Sequence, residues 1–222
     1  MFFEEHAKLL SEFARVSQAA GARADYVQGG GGNTSVKLPG GLMAIKASGF
    51  CLSDIRPDKA YAVLDGADLR NFYLTTEPSE LADVEKEGSA RAKADIRHID
   101  GLADLRPSVE AGFHSILKTF VVHTHSVYAN LAACSTTCRP IAAQAFAGAN
   151  YTWGWVPHTD PGANLTFAIR DELRRVEAET GKAPSVILMQ NHGIIVHDDD
   201  PDTALAIHTD ANERLARMFG LS

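Results

Sequence analysis

Apolar residues recur near helical spacing over residues 2–20 (Phe2, Phe3, Leu9, Leu10, Phe13, Val16) and stop at Gly21, which predicts an opening amphipathic helix. Beyond it the pattern shortens. TSVKL and LMAIKAS flank Pro39-Gly40-Gly41, so a β-hairpin is expected, and YAVLD at 61–65 reads as a third strand. Residues 66–106 are rich in charge and poor in large apolar side chains. They read as short, surface-lying helices, an excursion from the core rather than a second domain. PSVEAGFHSILKTF then reads as a helix, VVHTHS as a strand, YANLAAC as a small-residue helix and ANYTWGWVPHTDPG as an aromatic segment. A long amphipathic helix follows over about 162–180, with Gly181 just past it. SVILMQ and IIV read as strands on either side of NHG, and residues 200–219 as a final helix. The pattern predicts an α/β fold, a sheet sandwiched by helices, in one domain over residues 1–222.

Composition narrows the function classes. A 222-residue chain that is 45% hydrophobic has ample apolar material for one large α/β core. Lys+Arg number 21 against 28 Asp+Glu, a formal charge of −7, which speaks against a nucleic-acid partner. The opening MFFEEHAKLL lacks the apolar core of a signal peptide, and no stretch of about 18 uncharged apolar residues follows. A cytoplasmic protein without a membrane partner is expected. Cys51, Cys134 and Cys138 make no disulfide framework, and buried thiols are predicted.

The candidate chemistry begins with His123 and His125. Residues i and i+2 of a strand share a face, so the two imidazoles project together and can reach one metal ion at about 2.0–2.1 Å. Taken alone, the pair reads equally as histidines bonded to backbone or water. His192 lies at a break between two strand-like runs, beside Gly193, and can add a third nitrogen or simply sit in a turn. Glu110 lies at a helix start just upstream of the HxH strand, as ligand, proton shuttle or merely a favourable helix-start carboxylate. The run QGGGGNTS fits neither nucleotide-binding fingerprint. Its exposed amides, with Asn33, Thr34 and Ser35, can form an anion nest or a plain loop, and Ser48-Gly49 in KASG offers a second hydroxyl beside a glycine.

GGNTS, KASG, PSVE, HTH and NHG occur in the order seen in the class II aldolase/adducin family, and from Glu4 to Phe219 the chain resembles that family. It is also similar to the aldolase portion of bifunctional rhamnulose-phosphate aldolase/dehydrogenase chains, without the dehydrogenase half. The resemblance implies a three-layer α/β/α fold with a mixed, mainly antiparallel sheet, assembled as a homotetramer with active sites between subunits. It implies Zn2+ (or Mn2+ or Co2+) on His123, His125 and His192, with Glu110 as acid/base. Asn33, Ser48, Gly49 and Ser108 would line a phosphate pocket, supported by Thr34 and Ser35. The implied reaction is retro-aldol cleavage of a sugar phosphate through a metal-stabilised enediolate. A metal-dependent decarboxylase on the same scaffold and a non-catalytic adducin-like scaffold are the alternatives.

Departures from the family pattern sharpen this. Val109 stands where the fuculose-phosphate aldolase pocket has a second serine, and Gln144 aligns by spacing with that enzyme's mobile tyrosine. Tyr151 or His158 would then supply the proton. The sequence ends at Ser222, without the tail that carries a catalytic tyrosine in the epimerase, which disfavours epimerisation. His6, His98, His197 and His208 stand in polar surroundings and are expected to be solvated. His114, one turn beyond Glu110, is expected to pack or hydrogen-bond. Tyr151, Trp153 and Trp155 read as core or interface packing.

Overall fold

Alternation along the strands divides the apolar residues between the two faces of one sheet. The computed structural model describes residues 1–221; Ser222, where an epimerase-type tail would begin, lies outside them. Among the described residues the strands are β1 (Asn33–Leu38), β2 (Leu42–Lys46), β3 (Tyr61–Asp65), β4 (Ile96–Arg97), β5 (Phe120–Thr124), β6 (Trp153–Val156), β7 (Val186–Met189) and β8 (Gly193–Asp198). They lie side by side in the order β4-β3-β2-β1-β5-β8-β7-β6. Every neighbouring pair is antiparallel except β6 with β7. The helices are α1 (Phe2–Glu5), α2 (Ala7–Gly21), α3 (Gly66–Thr75), α4 (Val84–Ala94), α5 (Ala111–Ile116), α6 (Val127–Ala133), α7 (Cys138–Ala145), α8 (Ala163–Thr180) and α9 (Pro201–Met218). No described helix is long and apolar enough to cross a membrane.

On one face Val36, Ala44, Val63 and Val122 pack against Leu10, Phe13 and Val16 of α2. That layer continues where Val186, Leu188, Ile194 and Val196 meet α6, α7 and α9. On the other face Met43, Ile45, Leu64, Val121, Ile187 and Ile195 pack against Leu69, Phe113 and Leu165 of α3, α5 and α8. The result is the three-layer α/β/α arrangement around a mixed, mainly antiparallel sheet. The expected hairpin is β1–β2, in register from Ser35↔Ile45 to Leu38↔Leu42. Gly40 and Gly41 turn it with φ of 78° and 79°, values that favour glycine.

Several elements differ from the pattern-based expectation, each for a tertiary reason. The opening helix breaks at His6 (φ −108°, ψ 10°), whose ring turns inward, edge-on to Phe2 at 4.8 Å. The 66–106 excursion is only partly superficial. Leu69 and Tyr73 are buried on the sheet, and Ile96–Arg97 joins the sheet edge opposite Leu64 and Val63. α5 stops at Ile116 rather than running to Phe120, because Leu117 is already extended and Asp199 holds Thr119 through its N–H (3.1 Å) and hydroxyl (2.6 Å). The aromatic segment contains a true strand, β6, which gains its partner only from β7, about 30 residues later. α7 precedes it where no helix was expected.

Three of the four histidines expected to be solvated are buried: His6, His197 and His208 are each under 5% exposed. Burial lowers the His197 and His208 rings to about 3. His98 is exposed, as expected, beside Asp104 at 2.8 Å. Of the cysteines only Cys138 is buried; Cys51 is partly covered and Cys134 is exposed.

Candidate metal centre

His123 lies next to the last residue of β5, opposite Ile195 of β8 and Asn33 of β1, so its side chain points to the face covered by α5. His125 follows just beyond the strand, where Ser126 caps α6 by accepting from the Ala129 N–H at 3.3 Å. His192 sits in the β7–β8 turn after Asn191, which takes a left-handed φ of 56°. The glycines beside these histidines permit close packing. A Cβ on Gly193 would stand 2.4 Å from the Thr124 carbonyl oxygen, and one on Gly32 would stand 2.6 Å from that of His123. Part of the glycine run therefore serves to lay the 28–32 loop against the histidine strand.

The three rings converge, with centroid separations of 4.9, 4.9 and 5.1 Å. His123 Nε2 and His125 Nε2 are 3.1 Å apart. Glu110, the residue before α5, places Oε1 3.1 Å from His192 Nε2 and Oε2 3.6 Å from His123 Nε2. The Ile194 carbonyl lies 3.0 Å from His123 Nδ1, which must therefore carry the proton and leaves the Nε2 lone pair facing inward. Burial lowers His123 to about 3 and also lowers His125, so both rings are neutral at neutral pH. Burial opposes ionisation of Glu110, but the His123 and His192 rings and the Asn33 amide outweigh it and hold the carboxyl below its ordinary range.

The donor chemistry fits a divalent cation. One ligand nitrogen from each histidine lies within 4.8 Å of the others. Glu110 Oε1 is buried without a hydrogen-bond partner, although His192 Nε2 is near. Converging lone pairs with too few protons between them repel one another; a cation at their centre removes that conflict.

The six residues expected around a phosphate divide. Asn33 Nδ2 donates to Glu110 Oε2 at 2.6 Å and to Ser108 Oγ at 3.0 Å. Ser48 adjoins them: its N–H donates to the Arg106 carbonyl (2.9 Å), and the Ser108 N–H to that of Lys46 (3.3 Å). Gly49 is exposed in the following turn, with φ 90°. Thr34 points to the opposite face of the sheet, where its hydroxyl lies 2.6 Å from that of Ser17. Ser35 is buried behind Asn33, against His114 at 2.7 Å. Tyr151 donates to Asp210 of α9 at 2.9 Å, and His158 is exposed, its N–H bonded to Gln190. Among the described residues neither side chain contacts Glu110 or the three histidines.

Lys46, missed in the sequence, belongs here, and so does His114, which packs and hydrogen-bonds as expected. Lys46 is buried and donates to the carbonyls of Phe50 (2.7 Å) and Gly30 (3.4 Å), tying the glycine loop to the Ser48–Gly49 turn; burial lowers its pKa. Its signal was a lysine closing an apolar strand at the start of KASG. One cavity of about 430 Å3 is lined by His125 and Asn130, and another of about 880 Å3 by Ser108, Arg106 and Val109.

A family model described as "Class II Aldolase and Adducin N-terminal domain" matches residues 11–219. No curated protein matches the chain in sequence. Among solved structures, the N-terminal class II aldolase domain of a conserved Thermoplasma acidophilum protein superposes with a TM-score of 0.76 at 20% identity, covering 95% of this chain and 93% of that one. YgbL of Klebsiella pneumoniae, whose description leaves aldolase, epimerase and decarboxylase open, gives 0.65 at 18%, over 98% and 91%. L-fuculose-1-phosphate aldolase of Thermus thermophilus gives 0.56 at 15%, over 96% and 94%. At such identities the structural likeness concerns the fold.

Proposed function

The chain belongs to the class II aldolase and adducin N-terminal domain family, and from that premise we propose that it is a metal-dependent aldolase cleaving a phosphorylated ketose or related sugar phosphate. The observation that carries this reading is the convergence of three imidazoles on a buried carboxylate whose Oε1 has no hydrogen-bond partner. His123, His125 and His192 would hold Zn2+, with Mn2+ or Co2+ admissible because geometry and availability choose among such ions. When bound, the cation supplies a Lewis acid for the carbonyl oxygen and for the charge left as the carbon–carbon bond breaks.

The remaining work falls to the chain's own groups. Asn33 occupies Glu110 Oε2, so Oε1 is the oxygen free to take a proton and return it to the carbon beside the carbonyl. Ser48 and Ser108 would offer hydroxyls and Gly49 its backbone N–H to the phosphate, and Asn33, whose two amide hydrogens go to Glu110 and Ser108, would serve that pocket by holding Ser108 in place. Ser35 supports them from behind through His114, whereas Thr34 faces the other side of the sheet. Tyr151 or His158 would donate a proton only from a neighbouring subunit, which a homotetramer with sites between subunits allows. The intact histidine set argues against the adducin-like, non-catalytic alternative.

Metal analysis and a retro-aldol assay on a panel of ketose 1-phosphates test the reading. Stoichiometric metal and release of dihydroxyacetone phosphate are expected. A wild-type protein with no affinity for divalent metal would sink it, and carbon dioxide release from 3-keto acids in place of aldol cleavage would convert it to a decarboxylase.

A further inference from the structure

His114 is fully buried on α5, and each ring nitrogen meets one side chain of β1. Ser35 Oγ lies 2.7 Å from Nδ1, and Asn33 Oδ1 contacts Nε2. Asn33 and Ser35 are two residues apart on the strand, so they share the face that α5 crosses. The direction of every proton in this chain can be worked out from Glu110. Its carboxylate only accepts, so the Asn33 atom 2.6 Å away must be the amide nitrogen, which also donates to Ser108. The atom Asn33 turns to His114 is therefore its carbonyl oxygen, another acceptor. His114 must then donate through Nε2. A neutral imidazole has a single N–H, so Nδ1 accepts and Ser35 donates to it.

We infer that His114 is a positioning residue: as the Nε2–H tautomer fixed by Ser35, it locks the Asn33 amide with its nitrogen toward Glu110 and Ser108. With the ring absent, the amide is free to turn its oxygen to the carboxylate, a pairing of two acceptors that expels either Asn33 or Glu110 from place. Ser35 thus acts through His114 and touches no ligand. Burial keeps the ring far below its ordinary pKa, consistent with the single donor required. This inference rests on the proposed phosphate-binding and acid/base roles of Asn33 and Glu110, but its first readout does not.

That readout is the tautomer of His114 in the zinc-loaded wild-type protein, by 15N-histidine NMR at neutral pH. The Nε2–H form is expected; the Nδ1–H or doubly protonated form would overturn the inference whatever the enzyme's reaction. The second readout is titration of His114→Phe, which keeps the ring volume, and His114→Gln, whose side-chain amide keeps a donor near Nε2, with inorganic phosphate and zinc. In the Phe variant phosphate affinity should fall by at least about tenfold, the worth of one hydrogen bond to a charged group. Zinc affinity should stay within about threefold, and Gln should restore most of the loss. Unchanged phosphate affinity in a folded Phe variant refutes the positioning role. If wild type itself does not bind phosphate, the phosphate reading fails while the tautomer still decides the role of His114.

Discussion

His123 and His208 make an instructive pair, because His123 points from one face of β5 and His208 lies against the other. Both are buried, and burial lowers both to about 3. Yet His208 is a closed structural group. Its Nε2 meets Thr124 Oγ1 at 2.8 Å, Tyr26 packs edge-on at 4.7 Å, and Asn212 donates to its carbonyl at 2.8 Å. His123 has one nitrogen satisfied by backbone and the other turned toward two further imidazoles and a carboxylate. Buried histidines are therefore not what distinguishes a metal centre. Three ring nitrogens that converge beside a carboxylate oxygen without a hydrogen-bond partner are what mark the candidate site.

The contrast can be broken at either side. The largest effect is expected for His123→Ala: metal affinity measured by calorimetry should drop by more than about hundredfold, since losing even an outer-shell partner costs about 10–100-fold. Circular dichroism should show the fold retained. Next, Glu110→Gln should lower kcat by about 10^2–10^4 while metal content stays stoichiometric, because the proton carrier is lost and the histidines are not. On the other face, His208→Phe should leave metal content and kcat unchanged but cost about 1–3 kcal/mol in denaturant unfolding, since the buried Thr124 hydroxyl loses its partner.

The smallest and most specific test is pH. A histidine held near 3 when folded and near 6.5 when unfolded takes up a proton on unfolding between those values. Its stabilising effect is complete above pH 6.5 and is lost as pH falls toward 3, with a slope of at most about 1.4 kcal/mol per pH unit. His208→Phe should reduce the acid slope of stability in that window by roughly one proton; an unchanged slope would mean that His208 is not held neutral.

The legible part of the site was local. The i, i+2 spacing of His123 and His125 follows from strand periodicity, and NHG and PSVE stand out as short motifs at element edges. The hairpin and α8 with its glycine stop were legible for the same reason. Thr34 and Ser35, and the partners of His114, were not resolved that way. GGNTS puts three polar side chains in a row, but a strand sends alternate ones to opposite faces, so Thr34 leaves the site for Ser17 while Asn33 stays. The solvated reading of His197 and His208 failed because polar sequence neighbours do not report which helix lies overhead. β4 and β6 were hidden because each is a strand only through its partner, Val63–Leu64 for one and β7 for the other.

What the sequence determined by itself is the inventory and the local geometry: three histidines and a carboxylate at element ends, glycines where backbones must approach, and an acidic chain with enough apolar residues for one core. Backbone periodicity sets these, and it acts over a few residues. Only the tertiary structure brought Glu110, His123, His125 and His192 to within hydrogen-bonding distance and put Thr124 and His208 on the other side. Convergence depends on which strands pair and what covers them. That is a sum of contacts between residues far apart in the chain, to which no single motif holds the answer.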